Sequence, residues 1–346
     1  MSAMRVAVVG ATGAVGREMI RILQERDFPV DALVPLASER SAGRTISFRG
    51  RELEVGVLSL EALEGVDLAL SSCGGAVAKT WVPQAAERGT VCVDNSSAFR
   101  MEPWAGLVIP EVNPEEIRPD RRVYCVPNCT IITTLMAVAP LHRAAGLRSL
   151  SVASYQAVSG AGHKGVRELA EQIGKLAGSE EELGHPDPEA LPRGEVFGKT
   201  IAYNVVAKID AFDPETGFTF EEIKMAREAK RILSLPELEI AATCVRVPVV
   251  TGHSVAVEAS FERELTPAEA REILAASPGV QVRDDPADLV YPSPLEAAGG
   301  DDVLVGRIRR HPERLETLLL FACGDNLRKG AALNAVQIAE AVLAAR

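Results

Sequence analysis

Residues 4–16 read MRVAVVGATGAVG, and this stretch is the strongest indication of the fold of the N-terminal half of the chain. It opens with a short, continuous, β-branched run, which is typical of a strand buried on both faces. Glycines follow at Gly10, Gly13 and Gly16, and a helical apolar pattern continues to Glu25. Glycines at this spacing between a strand and a helix let backbone N–H groups approach a pyrophosphate. The pattern predicts a dinucleotide-binding turn, with a tight turn that holds no ligand as the alternative.

The rest of the chain shows two different strand patterns. The first half has short apolar runs with helical or turn-rich stretches between them, at 32–37, 66–71, 90–93 and 107–109. This alternation predicts a doubly wound parallel sheet of the Rossmann type, in an α/β fold. Longer strands follow residue 130, at 149–158, 241–249, 254–262, 303–309 and 317–323. Several of them alternate polar and apolar residues, which predicts a second, α+β domain on a mostly antiparallel sheet.

The length of 346 residues fits two domains better than one. An amphipathic pattern at 325–346 predicts a last helix that packs back on the first domain. We therefore expect one domain from residues 1–129 plus 325–346 and a second from 130–324. Stretches rich in Pro, Gly or acidic residues predict a surface excursion at 178–198 and a connecting segment at 283–302.

Bulk composition excludes several classes of protein. The net charge is -11, which argues against a nucleic-acid partner. No apolar run is long enough to span a bilayer, so no membrane partner is expected. Met1 leads directly into a strand without a signal-peptide pattern, which favours a cytoplasmic protein. The six cysteines form no CxxC pair, so we expect reduced thiols and no metal site.

The end of the second strand bears on the choice of cofactor. An NAD-binding site usually carries Asp or Glu at this position, to bind the ribose hydroxyls. Here the strand ends at Ser38, and Arg40 and Ser41 follow. A guanidinium with two hydroxyls can hold a 2′-phosphate, although Glu39 lies among them. The sequence therefore favours NADP over NAD.

Cys129 is the candidate nucleophile. It lies in the segment VPNCTII, residues 126–132, between Asn128 and Thr130, where an apolar helical run begins. A helix N-terminus favours the thiolate form of a cysteine, which is the reactive one. The alternative is a small core residue, which is how we interpret three other cysteines: Cys73, Cys92 and Cys125.

One histidine and two arginines are further candidates. His253 follows Gly252 at the entrance to a strand, where it suits a general base, although a structural histidine is the alternative. His163 is a weaker candidate. Arg100 follows the fourth strand, at the edge of the sheet where ligands bind, and Arg246 lies inside an apolar strand. Both suggest anion binding, with structural ion pairing as the alternative.

Together these groups suggest one chemistry. A thiolate attacks a carbonyl, hydride passes to or from a nicotinamide, and an oxygen nucleophile such as phosphate resolves the thioester.

Motifs along nearly the whole chain resemble the aspartate-semialdehyde dehydrogenase family. In order they are GATGAVG at 10–16, SSAFR at 96–100, PEVN at 110–113, PNCT at 127–130, SYQAVSGAG at 154–162, EEIKM at 221–225, RVPVVTGHS at 246–254 and DNLRKGAALNAVQIAE at 325–340. The resemblance implies reduction of 4-aspartyl phosphate by NADPH to aspartate semialdehyde, with release of inorganic phosphate. It assigns catalysis and dimerisation to the second domain and implies a homodimer or homotetramer.

The resemblance also implies residue roles. Cys129 would be the nucleophile, His253 the acid–base catalyst, and Gln156 the group that orients the substrate. Arg246 would bind the substrate carboxylate and Glu221 its ammonium. Phosphate would be bound by Arg100, Lys224 and Asn128. The cofactor would be bound by Gly10, Thr12, Gly13, Ala14, Val15, Ser38, Arg40, Ser41, Ser159, Gly160 and Asn326. Without the family, Glu221 and Lys224 would be interpreted as a solvated helix face.

Two alternative interpretations of the function remain. N-acetyl-glutamyl-phosphate reductase shares the architecture and the Cys/His chemistry, but the motifs SSAFR, PEVN and SYQAVSGAG fit it poorly. A non-catalytic relative that binds nucleotide or serves in assembly is the other, and the presence of Cys129, Gln156 and His253 argues against it.

Overall fold

The computed structural model describes residues 4–179 and 181–345, so predictions that touch residues 1–3, 180 and 346 lie outside the described residues at those positions. The chain divides into two compact units. The first contains Met1–Met136, Glu228–Pro236 and Leu327–Arg346, and the second contains Ala137–Arg227 and Glu237–Asn326.

The first unit contains a seven-stranded sheet in which all neighbouring strands are parallel, in the order β5-β2-β1-β6-β7-β9-β8. Its strands are β1 (Met4–Val9), β2 (Val30–Ala37), β5 (Gly56–Val57), β6 (Leu68–Ser71), β7 (Val91–Asp94), β8 (Gly106–Leu107) and β9 (Val123–Cys125), and a hairpin is formed by β3 (Thr45–Phe48) and β4 (Arg51–Glu54). The helices are α1 (Ala14–Glu25), α2 (Gly75–Glu87) and the start of α3 (Cys129–Ala145). The predicted doubly wound parallel sheet is confirmed.

The order of the strands positions a ligand site. From Val6 to Val9, β1 is fully buried, because helices of a doubly wound fold cover both faces of its central strand. The chain passes from β1 to β2 on one side and returns to β6 on the other, so the order reverses between β1 and β6. Ligands bind at the carboxyl ends of the strands beside such a reversal.

The second unit contains a six-stranded mixed sheet in the order β11-β10-β12-β15-β14-β13. Its strands are β10 (Leu147–Gln156), β11 (Glu239–Arg246), β12 (His253–Phe261), β13 (Val280–Val282), β14 (Val303–Arg310) and β15 (Thr317–Gly324). Its helices include α4 (Gly162–Leu176), the start of α5 (Phe220–Ile232), α6 (Pro267–Ala275) and α7 (Pro294–Ala297), and α5 continues into the first unit from Glu228. The β10–β11 and β13–β14 pairs are parallel, and the other three are antiparallel. The predicted mostly antiparallel sheet is confirmed.

The last segment differs from the predicted amphipathic helix. It begins with a π-helical turn at Arg328–Ala332 and continues as α8 (Leu333–Ala344), which packs against α1 in the first unit. Most of it is buried, including Lys329, which is 1 % exposed. Lys329 donates through Nζ to Glu111, Asn334 and Gln337, so its charge and hydrogen-bonding groups have partners inside the unit.

The described part of the 178–198 excursion is mostly exposed and contains one short 3-10 turn, at Glu182–Gly184, as a surface excursion should. Among the described residues, no helix has the length and apolar character needed to cross a membrane.

Candidate active site

The turn after β1 has room only for glycine at two positions. Gly10 has φ of 84°, and a Cβ there would lie 2.5 Å from the carbonyl oxygen of Ser72. A Cβ on Gly16 would lie 2.2 Å from the carbonyl oxygen of Gly10. Gly13 lies at the N-cap of α1. The backbone is thus packed closely at the positive end of a helix, which is the geometry that binds a pyrophosphate.

A cavity of about 610 Å³ in the first unit adjoins this turn. Ser38 and the 3-10 turn Glu39–Ser41 form part of its wall at the end of β2. The cavity brings together six of the predicted cofactor residues: Gly10, Thr12, Gly13, Ser38, Arg40 and Ser41. Ala14 and Val15 begin α1 and do not line it. A dinucleotide fits these residues, because the wall combines a glycine turn, a helix N-terminus and an exposed arginine.

Sequence analysis did not predict several other residues of this cavity wall. Trp81, Thr80 and Val77 from α2 and Cys73 from the end of β6 also line it. Cys73 is half-buried, so its interpretation as a core residue was wrong. Its position beside the reversal point of the sheet was the signal that could have shown this.

The other cofactor predictions lie in the second unit. The side-chain amide of Asn326 donates to Ser159 Oγ at 2.9 Å, and its Oδ1 accepts the backbone N–H of Gly252 at 2.9 Å. A Cβ on Gly160 would lie 2.8 Å from Arg246 Nη1 and 3.3 Å from His253 Nε2. The structure therefore brings Gly160 against two of the predicted site residues.

Cys129 is the first residue of α3 and is half-buried. Asn128 caps this helix, since its Oδ1 accepts the backbone N–H groups of Thr130 at 2.9 Å and Ile131 at 3.1 Å. By contrast, burial raises the pKa of both Cys92 and Cys125, which suits the core role predicted for them. The half-buried helix start makes Cys129 the better candidate nucleophile in the first unit.

Arg100 is buried in the same unit and forms an ion pair with Glu228, with Nη1 3.0 Å from Oε1. Burial opposes the charged guanidinium, but the carboxylate of Glu228 outweighs this, and the pKa of Arg100 lies above its ordinary value. Charges on Cys125 and Cys129 act in the same direction. Nη2 donates to the carbonyl of Asn95 at 3.1 Å, whereas Nε has no hydrogen-bond partner among the described residues. Arg100 therefore keeps an unused donor that could serve an anion.

His253 is fully buried in the second unit. Its Nδ1 accepts the backbone N–H of Ala157 at 3.1 Å, so the neutral ring carries its proton on Nε2. Among the described residues, Nε2 has no hydrogen-bond partner. Burial and then the charge of Arg246 hold the pKa of His253 well below its ordinary value. The ring is therefore neutral at pH 7, with an unused donor at Nε2. His163, the weaker candidate, is exposed on α4.

The remaining predicted substrate residues lie close together in the second unit. Gln156 Nε2 is 3.3 Å from Glu221 Oε1, and Arg246 Nη1 donates to the carbonyl of Ala157 at 2.6 Å. Glu221 is 8 % exposed, so the interpretation of this helix face as solvated is wrong for Glu221. Lys224 is half-buried and pairs with Asp210 at 2.6 Å.

Sequence reasoning missed one further charged residue, Glu228. It lies on α5 seven residues after Glu221, but its partner Arg100 is 128 residues away. Only the tertiary structure shows this pair.

Two family models match the chain. One is described as "Semialdehyde dehydrogenase, NAD binding domain" and matches residues 5–119, and the other as "Semialdehyde dehydrogenase, dimerisation domain" and matches residues 138–329. The parallel sheet, the glycine turn and its cavity agree with the first model. Together they define the class: a semialdehyde dehydrogenase that uses a nicotinamide dinucleotide.

Individual relatives narrow this class. Aspartate-semialdehyde dehydrogenase of Bacillus subtilis is 44% identical over 98% of this chain and 97% of its own length. The aspartate-semialdehyde dehydrogenase of Aquifex aeolicus is 44% identical over 97% of this chain and 97% of its own length. The crystal structure of aspartate semialdehyde dehydrogenase II from Vibrio cholerae has a TM-score of 0.91 and 40% identity, and covers 99% of each chain. The chain belongs to the aspartate-semialdehyde dehydrogenase family, and its predicted resemblance and enzyme class are confirmed. The dimerisation model implies a homodimer.

Proposed function

We propose that this enzyme reduces L-4-aspartyl phosphate to L-aspartate 4-semialdehyde with NADPH, reversibly, through a thioester on Cys129. The step belongs to the biosynthesis of the aspartate-family amino acids lysine, threonine and methionine, and of diaminopimelate. The observation that carries the proposal is the half-buried Cys129 at the capped start of α3. A crystal structure of aspartate semialdehyde dehydrogenase II from Vibrio cholerae is a complex with ASA, which supports the proposed substrate.

Cys129 reacts as a thiolate in this proposal. The positive end of the α3 dipole favours a negative charge at its first residue. Arg100 also favours the thiolate, because the attraction between its guanidinium and a negative charge on Cys129 stabilises both charged groups. The thiolate attacks the carbonyl carbon, and a carbon–sulfur bond forms while the carbonyl oxygen becomes an oxyanion. In the biosynthetic direction this oxyanion collapses, expels phosphate and leaves the thioester.

His253 serves the substrate oxygen through Nε2. Because Ala157 occupies Nδ1 and the ring is neutral, Nε2–H is a hydrogen-bond donor. A donor of this kind stabilises each oxyanion that the thiolate chemistry creates. We therefore propose that the acid–base residue implied by the resemblance acts mainly as this donor.

The two ends of the substrate require different groups. Arg246 is proposed to bind the α-carboxylate, Glu221 the ammonium, and Gln156 to orient the acyl group. Arg100, Lys224 and the Asn128 amide are proposed to bind phosphate. Lys224 must then share its charge between phosphate and Asp210, with which it pairs in the structure.

NADP is the proposed cofactor. The bound nicotinamide supplies a hydride in the biosynthetic direction and accepts one in the other. Arg40, Ser38 and Ser41 would hold the 2′-phosphate, and the glycine turn the pyrophosphate. Val15 and Ala14 would contribute backbone N–H groups from α1. Ser159, Gly160 and Asn326 of the second unit would complete the set.

A rapid-mixing experiment tests the proposal. Enzyme, NADP and aspartate semialdehyde without phosphate should give a burst of NADPH near one equivalent per chain, because the thioester cannot turn over. Phosphate should then permit steady turnover, whereas N-acetyl-glutamate semialdehyde should give neither phase. Quenched peptide mass spectrometry should find the aspartyl group on Cys129.

Cys129→Ala is the matched variant. It should lose the burst and the adduct but still bind NADP, because the dinucleotide cavity is formed by other residues. A full burst in this variant, or an adduct on Cys125 in the native enzyme, would contradict the assignment of the nucleophile.

We further propose a homodimer or homotetramer that acts in the cytoplasm. All six cysteines lie among the described residues and none of them forms a disulfide there, which fits a reducing compartment.

A further inference from the structure

Glu228 is a buried carboxylate with two partners in the first unit. The residue is 2 % exposed and lies towards the C-terminal end of α5. Oε1 accepts Nη1–H of Arg100 at 3.0 Å, and Oε2 accepts the backbone N–H of Asn128 at 2.6 Å. A buried charge is stable only when it is paired and hydrogen-bonded, so both contacts contribute to holding the carboxylate in place.

The two partners of Glu228 are both predicted phosphate ligands. Asn128 also caps α3, whose first residue is Cys129. One carboxylate therefore sets the spacing between the Arg100 guanidinium and the turn that leads into the nucleophile.

Arg231 holds the same loop from the next turn of α5. Its Nη1 donates to the carbonyl of Arg100 and its Nη2 to the carbonyl of Ala105, each at 2.5 Å. Glu228 and Arg231 are three residues apart, so they lie on one face of the helix. The end of α5 thus holds Arg100 by its side chain and by its backbone.

We propose that Glu228 is a positioning residue for the phosphate step, which rests on the proposed function. Its negative charge would repel phosphate, so it contributes through Arg100 and Asn128. With the Glu228 carboxylate present, the Arg100 guanidinium is held in one orientation, and its remaining N–H donors point in a fixed direction. Without it, Arg100 loses its charged partner and the Asn128 N–H loses its acceptor.

Glu228→Gln separates charge from size. The amide keeps one oxygen acceptor, but its NH₂ group must face either the Arg100 guanidinium or the Asn128 N–H, both of which are donors. The Michaelis constant for phosphate should rise on the order of tenfold to a hundredfold, as expected when a charge-assisted contact is lost. The Michaelis constants for NADP and aspartate semialdehyde should change by less than about twofold, since separate groups bind them. The phosphate-free NADPH burst should keep its amplitude.

Glu111→Gln is a matched control in the same unit. Glu111 also forms a largely buried ion pair, 2.6 Å from Lys329, and the other described side-chain partners of Lys329 are Asn334 and Gln337, neither of them a predicted phosphate ligand. This variant should lose stability while all three Michaelis constants stay unchanged.

A second comparison tests whether Glu228 acts through Arg100. In an Arg100→Ala background, Glu228→Gln should raise the phosphate constant no further, because the group it positions is gone.

Equal changes in all three Michaelis constants of Glu228→Gln, or an unchanged phosphate constant, would overturn the proposal. So would an additive effect in the Arg100→Ala background. If the Gln variant does not fold, Glu228→Asp carries the test, because it keeps the charge but is too short to reach both partners. A raised phosphate constant supports the proposal and an unchanged one overturns it. If the native enzyme itself needs no phosphate, the proposed function fails, which is a distinct result.

Discussion

His253 shows how one hydrogen bond can determine the chemistry of a side chain. The backbone N–H of Ala157 takes Nδ1, and burial with Arg246 disfavours a second proton on the ring. Protonation would place two N–H groups against each other. A neutral donor at Nε2 is therefore the form that the fold selects, and the same contacts make stability depend on pH.

The folded-state pKa of His253 lies below the unfolded value of about 6.5. Between these values the unfolded chain binds the extra proton and the folded chain does not. The contribution of His253 to stability is therefore complete above about pH 6.5 and is lost as the pH falls below it. From pH 7.5 to 5.5, we expect His253 to account for a loss of roughly 1 kcal/mol in the free energy of unfolding.

Urea unfolding at both pH values measures this loss. His253→Gln should show a smaller decrease than the native protein, whereas His163→Gln, at an exposed position on α4, should show the same decrease. A native-like decrease in His253→Gln would show that other groups cause it.

Arg40 is expected to decide the choice between NADP and NAD. It is exposed and lines the dinucleotide cavity beside Ser38 and Ser41. Arg40→Ala should weaken NADP binding by roughly 1–3 kcal/mol, as for a charge-assisted contact, and leave NAD nearly unchanged. Isothermal titration with both cofactors measures this. Arg44→Ala, an exposed arginine nearby that does not line the cavity, is the control. Equal losses for both cofactors would refute the assignment to the 2′-phosphate.

At the scale of elements, the β1–α1 turn has little tolerance for a side chain. A Cβ on Gly16 would meet the Gly10 carbonyl oxygen at 2.2 Å, and both groups are backbone, so neither can yield without moving the turn. Gly16→Ala should lower the affinity for NADP by at least about tenfold, because the N–H groups that face the pyrophosphate would shift. Cofactor titration followed by fluorescence would detect this.

Gly174→Ala is the matched control. Gly174 lies within α4, and apart from its chain neighbours and the backbone of its own helix, no atom of the described residues lies within 4 Å of its added Cβ. Alanine should raise stability by about 0.5–1 kcal/mol and leave NADP binding alone, because glycine weakens a helix interior. Native NADP affinity in Gly16→Ala would mean that the turn adapts to a side chain and that glycine is not required at this position.

The elements also show where sequence reasoning succeeds. Strands such as β1 are predictable because burial on both faces leaves a continuous apolar run. The amphipathic helix predicted at 325–346 differs from the structure, because polar groups such as Lys329 and Asn334 are buried with partners. The periodicity of polar residues shows their spacing along the helix, but it cannot show that Glu111, distant in sequence, neutralises the charge of Lys329.

The same limit applies to the candidate site. Cys129 was predictable, since the helix start and its flanking residues are local in sequence. Glu228 was not, because its charge is explained only by Arg100, far away along the chain. The roles proposed for Gln156 and Glu221 came from the family resemblance, and their proximity became visible only in the tertiary structure.

For the whole molecule, one face of the second sheet is incompletely covered. Tyr155 is 39% exposed on β10, and its ring lies 6.1 Å from that of Phe321, which is half-buried on β15. On β12 and β15 the half-buried Ala256 and Leu319 share this face. A sheet face of this kind usually packs against another element. We propose that this face is buried in the homodimer.

We therefore expect Phe321→Arg combined with Tyr155→Arg to convert the dimer into a monomer. In a symmetric dimer the two new arginines of one chain would be buried against the same two arginines of its partner, with no carboxylate to neutralise them. Sedimentation velocity should show half the native mass. Because association stabilises only the folded chain, the melting temperature of the native protein should rise with its concentration, and that of the variant should not. Leu289→Arg is the control: this side chain is 77% exposed, follows the 3-10 turn Pro286–Asp288 outside the strands of the sheet, and should leave the dimer intact. A double variant that still sediments as a dimer would place the interface on another surface.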